Sequence, residues 1–503
     1  MAASENTGKR DTLGQSGRMA VDLWLIVILV IAFIIRLYGL TDPLVDFSSW
    51  RQVDTASIAR NFAEHDFNIL HPQLEYDGPG PNYGQLELQI TTFLIALIYK
   101  LAGINDAYAR LVPALFFMGA VIYLYRFVKR YSDRLTANLS ALIFSMLPMG
   151  VFYSRAAQPE SAMLFFGIAS LYYFSSWCDK QTGRSYLLAT VTGALSVLAK
   201  LPNIFLFIPV LMIAWERFGA RLIKNRWIIL YFAIILTITI GYFGYLGWLV
   251  SNFGSPYDYH NYTNPGERTG AFVSNITRKH VLPQLLAAPI SPESIDYFKR
   301  FLPGLVFTPL GLALFFISIL PIRMRGIGAG QLRPLYAWVI AMVIYALTIV
   351  SVIRIDYYLI PILPIASFFI ARALASLGSS RLTQIIMGTL VAIMAFQSYT
   401  TVAPLYKLDM KYYRFGMELG ESLRSQEPII LGTYNPAILY YSGHRGWRSD
   451  DVSLEEFKYL LAQGAGYYVP LNSMKDKQFV GYLKKNYRQH KTKSGCIYYD
   501  LKK

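Results

Sequence analysis

Long apolar segments alternate with short polar ones along most of the chain. Several segments approach or reach the ~20 residues that a helix needs to cross the hydrocarbon core of a bilayer. The clearest are Val21–Leu40, Trp227–Val250, Phe301–Pro321, Ala337–Val352 and Ile385–Thr400. Because hydrocarbon contains no water to pair with backbone groups, each segment must pair its own and is predicted to be a helix. The pattern therefore predicts an all-α polytopic membrane protein.

The last part of the chain, residues 401–503, has a different pattern. Pro428–Tyr434 is an apolar run that ends in a turn, as a buried strand does. Ala465–Pro470 and Cys496–Leu501 also look like strands, whereas Leu454–Ala462 has the apolar spacing of a helix. We predict a small α/β domain here, within the usual size range of independent domains.

Composition supports the membrane assignment. Of the 503 residues, 54% are hydrophobic and 16% are charged, whereas roughly 25% are charged in soluble domains. A net charge of +16 would suggest nucleic acid as partner of a soluble protein, but here short loops carry the basic residues and set orientation. We therefore expect no nucleic-acid partner. Neither the two cysteines nor the six histidines show the spacing of a disulfide framework or a zinc site.

Loop charges predict the orientation. The tail 1–20 is basic and is expected in the cytoplasm. The first apolar run is expected to remain as a span, since no small-residue cleavage site follows it. Two apolar segments, Leu86–Leu101 and Leu111–Phe127, separate the first span from the next basic loop. If both crossed the membrane, that loop would lie outside; if only one crosses, every later basic loop lies inside. We assign Leu111–Phe127 as the second span and Leu86–Leu101 to a helix in or at the outer interface.

The resulting topology places about eleven spans between residues 21 and 400. Its main outer segments are 41–107, 251–299 and the C-terminal domain 401–503, so the C-terminus lies outside. The first outer loop is acidic, which fits this side of the membrane. The segment 251–299 contains many Tyr, Asn and Pro residues and is either a mobile lid or a plain connector.

Two carboxylates on the outer side are candidates for chemistry. Asp54 is expected near the start of a helix, beside Arg51 and Gln52. A positioned carboxylate there could act as a general base, or could only cap the helix. Glu160 lies at the outer mouth of a later helix, where stabilisation by the helix dipole is the alternative to a catalytic role.

Two basic residues also fall at outer helix ends. Lys200 ends one span, and Arg354 lies between two later ones. A cation on this side needs a partner, and we weigh an anionic lipid phosphate equally with a salt bridge to Asp356 or to a first-loop carboxylate. Carboxylates and cations together above apolar helices would suit a lipid-phosphate substrate.

In this order and sidedness, the features resemble GT-C glycosyltransferases of the protein O-mannosyltransferase and aminoarabinose-transferase type. The resemblance covers roughly residues 20–400 and is strongest over 44–215. The segments that carry it are the acidic first loop, Ile58–Asn61, Tyr108–Ala114, Arg155–Glu160, Leu198–Lys200 and the later Tyr357–Pro364. It implies a GT-C-like fold, a polyprenyl-phosphate-linked sugar donor, a lipid, glycan or protein acceptor, and a bacterial inner-membrane location.

The resemblance also implies an inverting transfer on the extracytoplasmic face, with a first-loop aspartate as general base for the acceptor hydroxyl. The usual Asp–Glu pair after the first span is absent here. Asp46 keeps the distance from that span, and Asp54 keeps the local Trp-Arg-Gln-x-Asp-Thr context. We favour Asp54 as the base, with Asp46 as the alternative, and match Glu160 to the second acidic position.

The remaining site residues follow from the same resemblance. We match Arg51, Lys200 and Arg354 to phosphate binding. The residues expected to contact substrate are Gln52, Arg155, Tyr357 and Tyr358. No cofactor is assigned, and a divalent metal between carboxylates stays open.

Two other function classes compete with a glycosyltransferase. A transporter, such as a flippase of lipid-linked sugars, should place ionisable residues near the middle of the bilayer on repeated, interrupted helices. A non-enzymatic scaffold would leave the outward Lys and Arg residues unexplained. The one-sided clustering favours the enzyme.

Overall fold

The computed structural model describes residues 22–502, except 77, 85–86, 254–290, 321–331, 424–425, 451 and 472–475. The expected cytoplasmic tail 1–20 and most of the segment 251–299, for which a lid and a connector were both left open, therefore lie outside the described residues.

Helices make up most of the described chain. Those of the first half are α1 (Leu23–Leu37), α2 (Ser49–Glu64), α3 (Ile90–Ala102), α4 (Asp106–Tyr131), α5 (Arg134–Met146), α6 (Pro148–Phe152), α7 (Glu160–Lys180), α8 (Gly183–Ala199), α9 (Phe207–Phe218) and α10 (Arg226–Phe253). Those of the second half are α11 (Pro292–Phe301), α12 (Pro309–Ile319), α13 (Arg333–Tyr345), α14 (Ser351–Ile353), α15 (Leu363–Ala375), α16 (Arg381–Val402), α17 (Met410–Ser422), α18 (Ala437–Ser442), α19 (Leu454–Ala462) and α20 (Lys477–Asn486). Turns of 3₁₀- or π-helix lie at Leu201–Leu206, Gly219–Lys224, Leu302–Phe307, Ala346–Val350, Asp356–Ile362 and Ala403–Tyr406.

Six helical stretches in the described residues are long and apolar enough to cross a bilayer. They are Asp106–Tyr131, Leu201–Lys224, Arg226–Phe253, Arg333–Ile353, Asp356–Ala375 and Arg381–Ser422. A seventh is added if Pro292–Phe307 and Pro309–Ile319, bent by 93°, form one span. Length and composition thus support fewer spans than the about eleven expected from the sequence.

The other expected spans coincide with helices that miss one of these criteria. α1, α5 and α8 have 15, 13 and 17 residues, which is short of the ~20 needed. α7 has 21 residues, but it is rich in Ser and buries most of its side chains inside the protein. Such a helix needs less apolar surface, because protein rather than lipid surrounds it.

α3 corresponds to Leu86–Leu101, the segment that the loop charges assign to a helix in or at the outer interface and not to a span. It has 13 residues, too few to cross a bilayer on its own. It lies against the first outer loop: Phe93 packs edge-on to Phe62 of α2 with ring centroids 5.6 Å apart, and Lys100 lies over the ring of Phe67. Its side of the membrane stays a prediction.

The C-terminal part contains a five-stranded sheet with the order β2-β1-β3-β5-β4. The strands are β1 (Ile429–Leu431), β2 (Gly446–Arg448), β3 (Tyr467–Val469), β4 (Arg488–Lys491) and β5 (Ile497–Asp500). β2, β1 and β3 run parallel, and β5 pairs antiparallel with both β3 and β4. β1, β3 and β5 lie where strands were expected, and α19 has the expected bounds, whereas β2 and β4 were not foreseen.

The sheet shares a hydrophobic core with the first outer loop. Ile429 and Leu431 of β1 belong to the same buried cluster as Val53 and Phe62 of α2 and Tyr76 of the loop. Apolar side chains that share one core are removed from water together, so loop and sheet stabilise each other's position. This packing brings the C-terminal part directly over α2.

Candidate functional site

α2 carries the first candidate residues and is buried on nearly all sides. The chain enters it through Ser48, whose φ of 58° is left-handed. From Gln52 to Ala59 every side chain of the helix is buried, polar ones included. Because a buried polar group needs a hydrogen-bond partner, the partners of this helix show which polar side chains support the fold and which are left available.

Asp46 is fully engaged in a buried ionic network. Its Oδ2 accepts from Nη1 of Arg110 at 3.0 Å and from Nη2 of Arg155 at 2.6 Å. Its Oδ1 accepts from Nε2 of Gln52 at 2.6 Å. Arg155 also donates to the carbonyls of Tyr38 and Gly39. Three of the expected site residues, Asp46, Gln52 and Arg155, thus hold α2 against neighbouring elements.

Asp54 has a different environment. The residue is 3% exposed, and its Oδ2 accepts from the hydroxyl of Tyr76 at 3.2 Å. Its Oδ1 has no hydrogen-bond partner among the described residues. The idea that Asp54 only caps the helix is wrong, because α2 begins five residues earlier, at Ser49.

Burial raises the pKa of the Asp54 carboxyl to about 6, since a charge is disfavoured away from water. The positive charges of Arg448 and Arg51 and the hydroxyl of Tyr76 act in the opposite direction, and Glu75 adds to the rise. A carboxylate with this pKa is ionised at neutral pH and still takes up a proton readily, as a general base must.

Arg51 connects Asp54 to the other carboxylates. Its guanidinium forms an ion pair with Glu87. Glu160, Tyr357 and Asp54 also lie close enough to act on its charge: burial disfavours the cation, but Glu87 and these groups raise the pKa of Arg51 above its usual value. Sequence reasoning did not single out Glu87, which was one of many acidic residues in the first loop.

Glu160 and Lys200 form a buried ion pair at the ends of two helices. Glu160 is the first residue of α7, and Lys200 follows the last residue of α8. The ammonium of Lys200 lies 4.5 Å from the ring centroid of Tyr357 and 4.6 Å from that of Tyr358. Glu160 Oε2 has no hydrogen-bond partner among the described residues. The structure therefore brings four expected site residues together here.

Arg354 stands apart from this group. Its side chain is exposed, and its backbone is left-handed with a φ of 50°. The suggested salt bridge to Asp356 is absent from the structure, where Asp356 instead accepts from the Tyr153 hydroxyl at 2.6 Å and from the backbone of Tyr357 at 2.8 Å.

The C-terminal sheet contributes a residue that sequence analysis missed. Arg448, the last residue of β2, places its guanidinium 3.5 Å from the ring centroid of Tyr76, the residue that donates to Asp54. Arg448 and Asp54 are far apart in the sequence, and neither belongs to a recognisable motif with the other, so no signal in the sequence connects them.

The carboxylates among the described residues do not form a recognisable metal site. Across the part of the chain that the structure describes, no three His, Cys, Asp or Glu side chains cluster as metal ligands do. Glu87 and Glu160 each pair with a cation. We therefore derive no step through a metal ion.

Comparison with known proteins finds partial matches in sequence. A family model described as dolichyl-phosphate-mannose-protein mannosyltransferase matches residues 90–243. An uncharacterized protein of Aquifex aeolicus (strain VF5) is 30% identical over 114 residues, which is 22% of this chain and 23% of that protein. The match thus spans under a quarter of that relative's length.

Solved structures share the fold over nearly the whole chain. ArnT from Cupriavidus metallidurans bound to undecaprenyl phosphate aligns with a TM-score of 0.63 and 12% identity, covering 95% of this chain and 98% of that one. The oligosaccharyltransferase AglB from Archaeoglobus fulgidus, in complex with an inhibitory peptide and a dolichol-phosphate, aligns with a TM-score of 0.59 and 12% identity, covering 96% and 74%. The fold is GT-C-like, and the expected resemblance to GT-C glycosyltransferases is confirmed.

Proposed function

We propose that this chain is a membrane glycosyltransferase that moves a sugar from a polyprenyl-phosphate donor to an acceptor hydroxyl on the extracytoplasmic face. The observation that carries the proposal is Asp54, a buried carboxylate beside Arg51 with one oxygen that has no hydrogen-bond partner among the described residues. The polyprenyl and dolichol phosphates named with ArnT and AglB support a lipid-phosphate donor. The acceptor is a lipid, a glycan or a protein.

In this proposal the two oxygens of Asp54 have different tasks. Tyr76 holds Oδ2, which fixes the plane of the carboxylate. Oδ1 then faces the acceptor and takes the proton of its hydroxyl. General-base assistance of this kind contributes roughly 10²- to 10⁴-fold to rate. Asp46 is the weaker candidate, because both of its oxygens already accept from buried donors.

Arg51 and Lys200 are proposed to hold the donor phosphate. Each already lies beside a carboxylate, Glu87 or Glu160, and the rings of Tyr357 and Tyr358 fix the position of Lys200. As the sugar leaves, negative charge grows on the phosphate, and fixed cations stabilise that charge. The exposed Arg354 stays a proposed further contact to the phosphate.

The proposed reaction is a single displacement. The acceptor oxygen bonds to the anomeric carbon while the bond from that carbon to the phosphate oxygen breaks, and the acceptor proton moves to Asp54. Attack opposite to the leaving group inverts the configuration. Glu160 is paired with Lys200, so it is poorly suited to act as a nucleophile in a two-step, retaining reaction. We propose Gln52 and Arg155 as supports of α2 rather than substrate contacts.

The class of function is tested with purified protein in lipid nanodiscs. Polyprenyl-phosphate mannose and polyprenyl-phosphate arabinose serve as donors and water serves as the acceptor, so the readout is release of free polyprenyl phosphate together with free sugar. We expect release from at least one donor. In parallel, proteoliposomes with the same lipids report movement of the intact donor across the bilayer. Movement of the donor without any cleavage would replace the enzyme with the transporter alternative.

A further inference from the structure

The C-terminal sheet is joined to the first outer loop by backbone hydrogen bonds. The amide of Gly446, in β2, donates to the carbonyl of Glu75 at 3.0 Å, and the amide of Gly78 donates to the carbonyl of Gly446 at 2.9 Å. On its other side, Gly446 packs so closely against Ile429 of the neighbouring strand β1 that a side chain at this position would collide with the backbone of Ile429. The loop therefore lies against the edge of the sheet in a fixed register.

This register determines where Arg448 lies. Its guanidinium stacks on the ring of Tyr76 at 3.5 Å from the centroid, and its Nη1 donates to the carbonyl of Tyr434 at 2.8 Å. Stacking of a guanidinium on an aromatic face is both a packing and an electrostatic contact. Tyr76 is 1% exposed, so its ring is held between the sheet and α2, with its hydroxyl on Asp54.

We propose that Arg448 is a positioning residue of the site: through the ring of Tyr76 it fixes the hydroxyl that holds Asp54 Oδ2, so that Oδ1 is presented to the acceptor. The C-terminal sheet thereby completes the site built by the transmembrane part and the first loop. This inference rests on the proposed function.

The charges around Asp54 show how such a role can be measured. Arg448 from the sheet and Arg51 from α2 favour the ionised carboxylate, Tyr76 donates to it, and Glu75 opposes ionisation. Removal of the Arg448 charge should therefore raise the pKa of Asp54. Asp54 would then lose its proton only at higher pH, and the acidic limb of the pH–rate profile would move upward.

Arg445 offers a matched control. It is also an arginine between the sheet and the first loop, and it donates to Asn61 and Gln73. Its guanidinium thus contributes to the same interface without stacking on Tyr76. An effect caused only by loosening of the interface should appear in Arg445→Gln as well as in Arg448→Gln.

The experiment compares full-length wild type, Arg448→Gln, Arg448→Lys and Arg445→Gln in nanodiscs, with release of polyprenyl phosphate followed across pH. We expect Arg448→Gln to lower kcat by about 10- to 100-fold, as small misplacements of a catalytic group do, and to move the acidic limb upward. Arg448→Lys should restore the limb in part, and Arg445→Gln should leave it in place.

Each outcome decides the inference. If Arg448→Gln and Arg445→Gln both have the pH–rate profile of wild type, Arg448 is only an interface residue. The same conclusion follows if both variants lose the same factor in kcat and neither moves the acidic limb. If wild type is active, Asp54→Asn is inactive and Arg448→Gln is normal, only the inference fails. If wild type releases no polyprenyl phosphate from either donor, the proposed function fails and the inference with it.

Discussion

Tyr76 donates its hydroxyl to Asp54 Oδ2 at 3.2 Å, while Oδ1 of the same carboxylate has no hydrogen-bond partner among the described residues. A buried carboxylate oxygen without a donor costs free energy that most proteins avoid. If Asp54 is the base, as we propose, this arrangement leaves Oδ1 ready to take a proton from a substrate. The contrast with Asp46, whose oxygens are both occupied, is the basis on which we propose different roles for the two carboxylates.

Asp46→Asn should lower the stability of the protein more than its catalytic rate. The change leaves Arg110 and Arg155 as buried cations without their carboxylate, and breaking a buried ion pair typically costs about 3–5 kcal/mol. We expect a clearly lower midpoint of thermal unfolding in nanodiscs. Glu64→Gln, at an exposed position on α2, is the control and should unfold like wild type. An Asp46→Asn protein as stable as wild type would contradict the structural role.

The pKa of about 6 for Asp54 predicts a pH dependence of both rate and stability. The rate should fall below about pH 6, where the base becomes protonated. Because the folded pKa lies above the ordinary value of 3.8, the folded state binds the proton more tightly than the unfolded chain. The contribution of this group to stability is therefore largest below about pH 4 and is lost as the pH rises through about 6.

Asp54→Asn tests the stability part of that prediction. The variant lacks the buried charge, so it should unfold at a higher temperature than wild type at pH 7.5, and the difference should shrink towards pH 4. Thermal unfolding at several pH values measures this. A variant less stable than wild type at pH 7.5 would show that Asp54 is a structural ion rather than a site residue.

Variants of Glu160 and Lys200 should differ in how they affect stability and activity. Glu160→Gln or Lys200→Met alone leaves a buried charge unpaired and should cost about 3–5 kcal/mol in stability. The double variant removes both charges, and we expect most of the stability to return. Its activity should stay low, because the donor phosphate has lost Lys200. Recovery of activity together with stability would mean that the pair only supports the fold.

The orientation inferred from loop charges can be checked with single cysteines. Leu101, at the end of α3, is 80% exposed and should react from outside as Leu101→Cys with a membrane-impermeant maleimide. Gln181, in a loop expected inside, should react as Gln181→Cys only after permeabilisation. Both native cysteines are buried, which keeps the background low. The reverse pattern would overturn the assigned topology.

Much of the fold could be predicted because it depends on local patterns. Apolar runs marked the helices, and short apolar stretches marked β1, β3 and β5. The side of the membrane on which loop charges place Asp54, Glu160 and Lys200 stays a prediction. Length and composition support six or seven of the about eleven expected spans among the described residues, and the remaining spans stay a prediction, since α7 and its short neighbours differ from the others in length or composition.

The partners of the site residues could not be predicted. Asp46 meets Arg110 and Arg155 across separations of 64 and 109 residues, and Arg448 reaches Tyr76 from the C-terminal sheet. Contacts of this kind are decided by packing and leave no regular spacing in the sequence. For the same reason, the sequence alone left Asp46 and Asp54 as alternatives.

The most direct test of the account is the turnover of polyprenyl-phosphate mannose and polyprenyl-phosphate arabinose by wild type, Asp54→Asn and Glu64→Gln, each in nanodiscs at pH 7.5. Glu64→Gln removes an exposed carboxylate from the same helix and should keep the wild-type rate of polyprenyl phosphate release. Asp54→Asn should bind donor but lose about 10²- to 10⁴-fold in kcat. A rate for Asp54→Asn equal to that of wild type would contradict the assignment of Asp54 as the base.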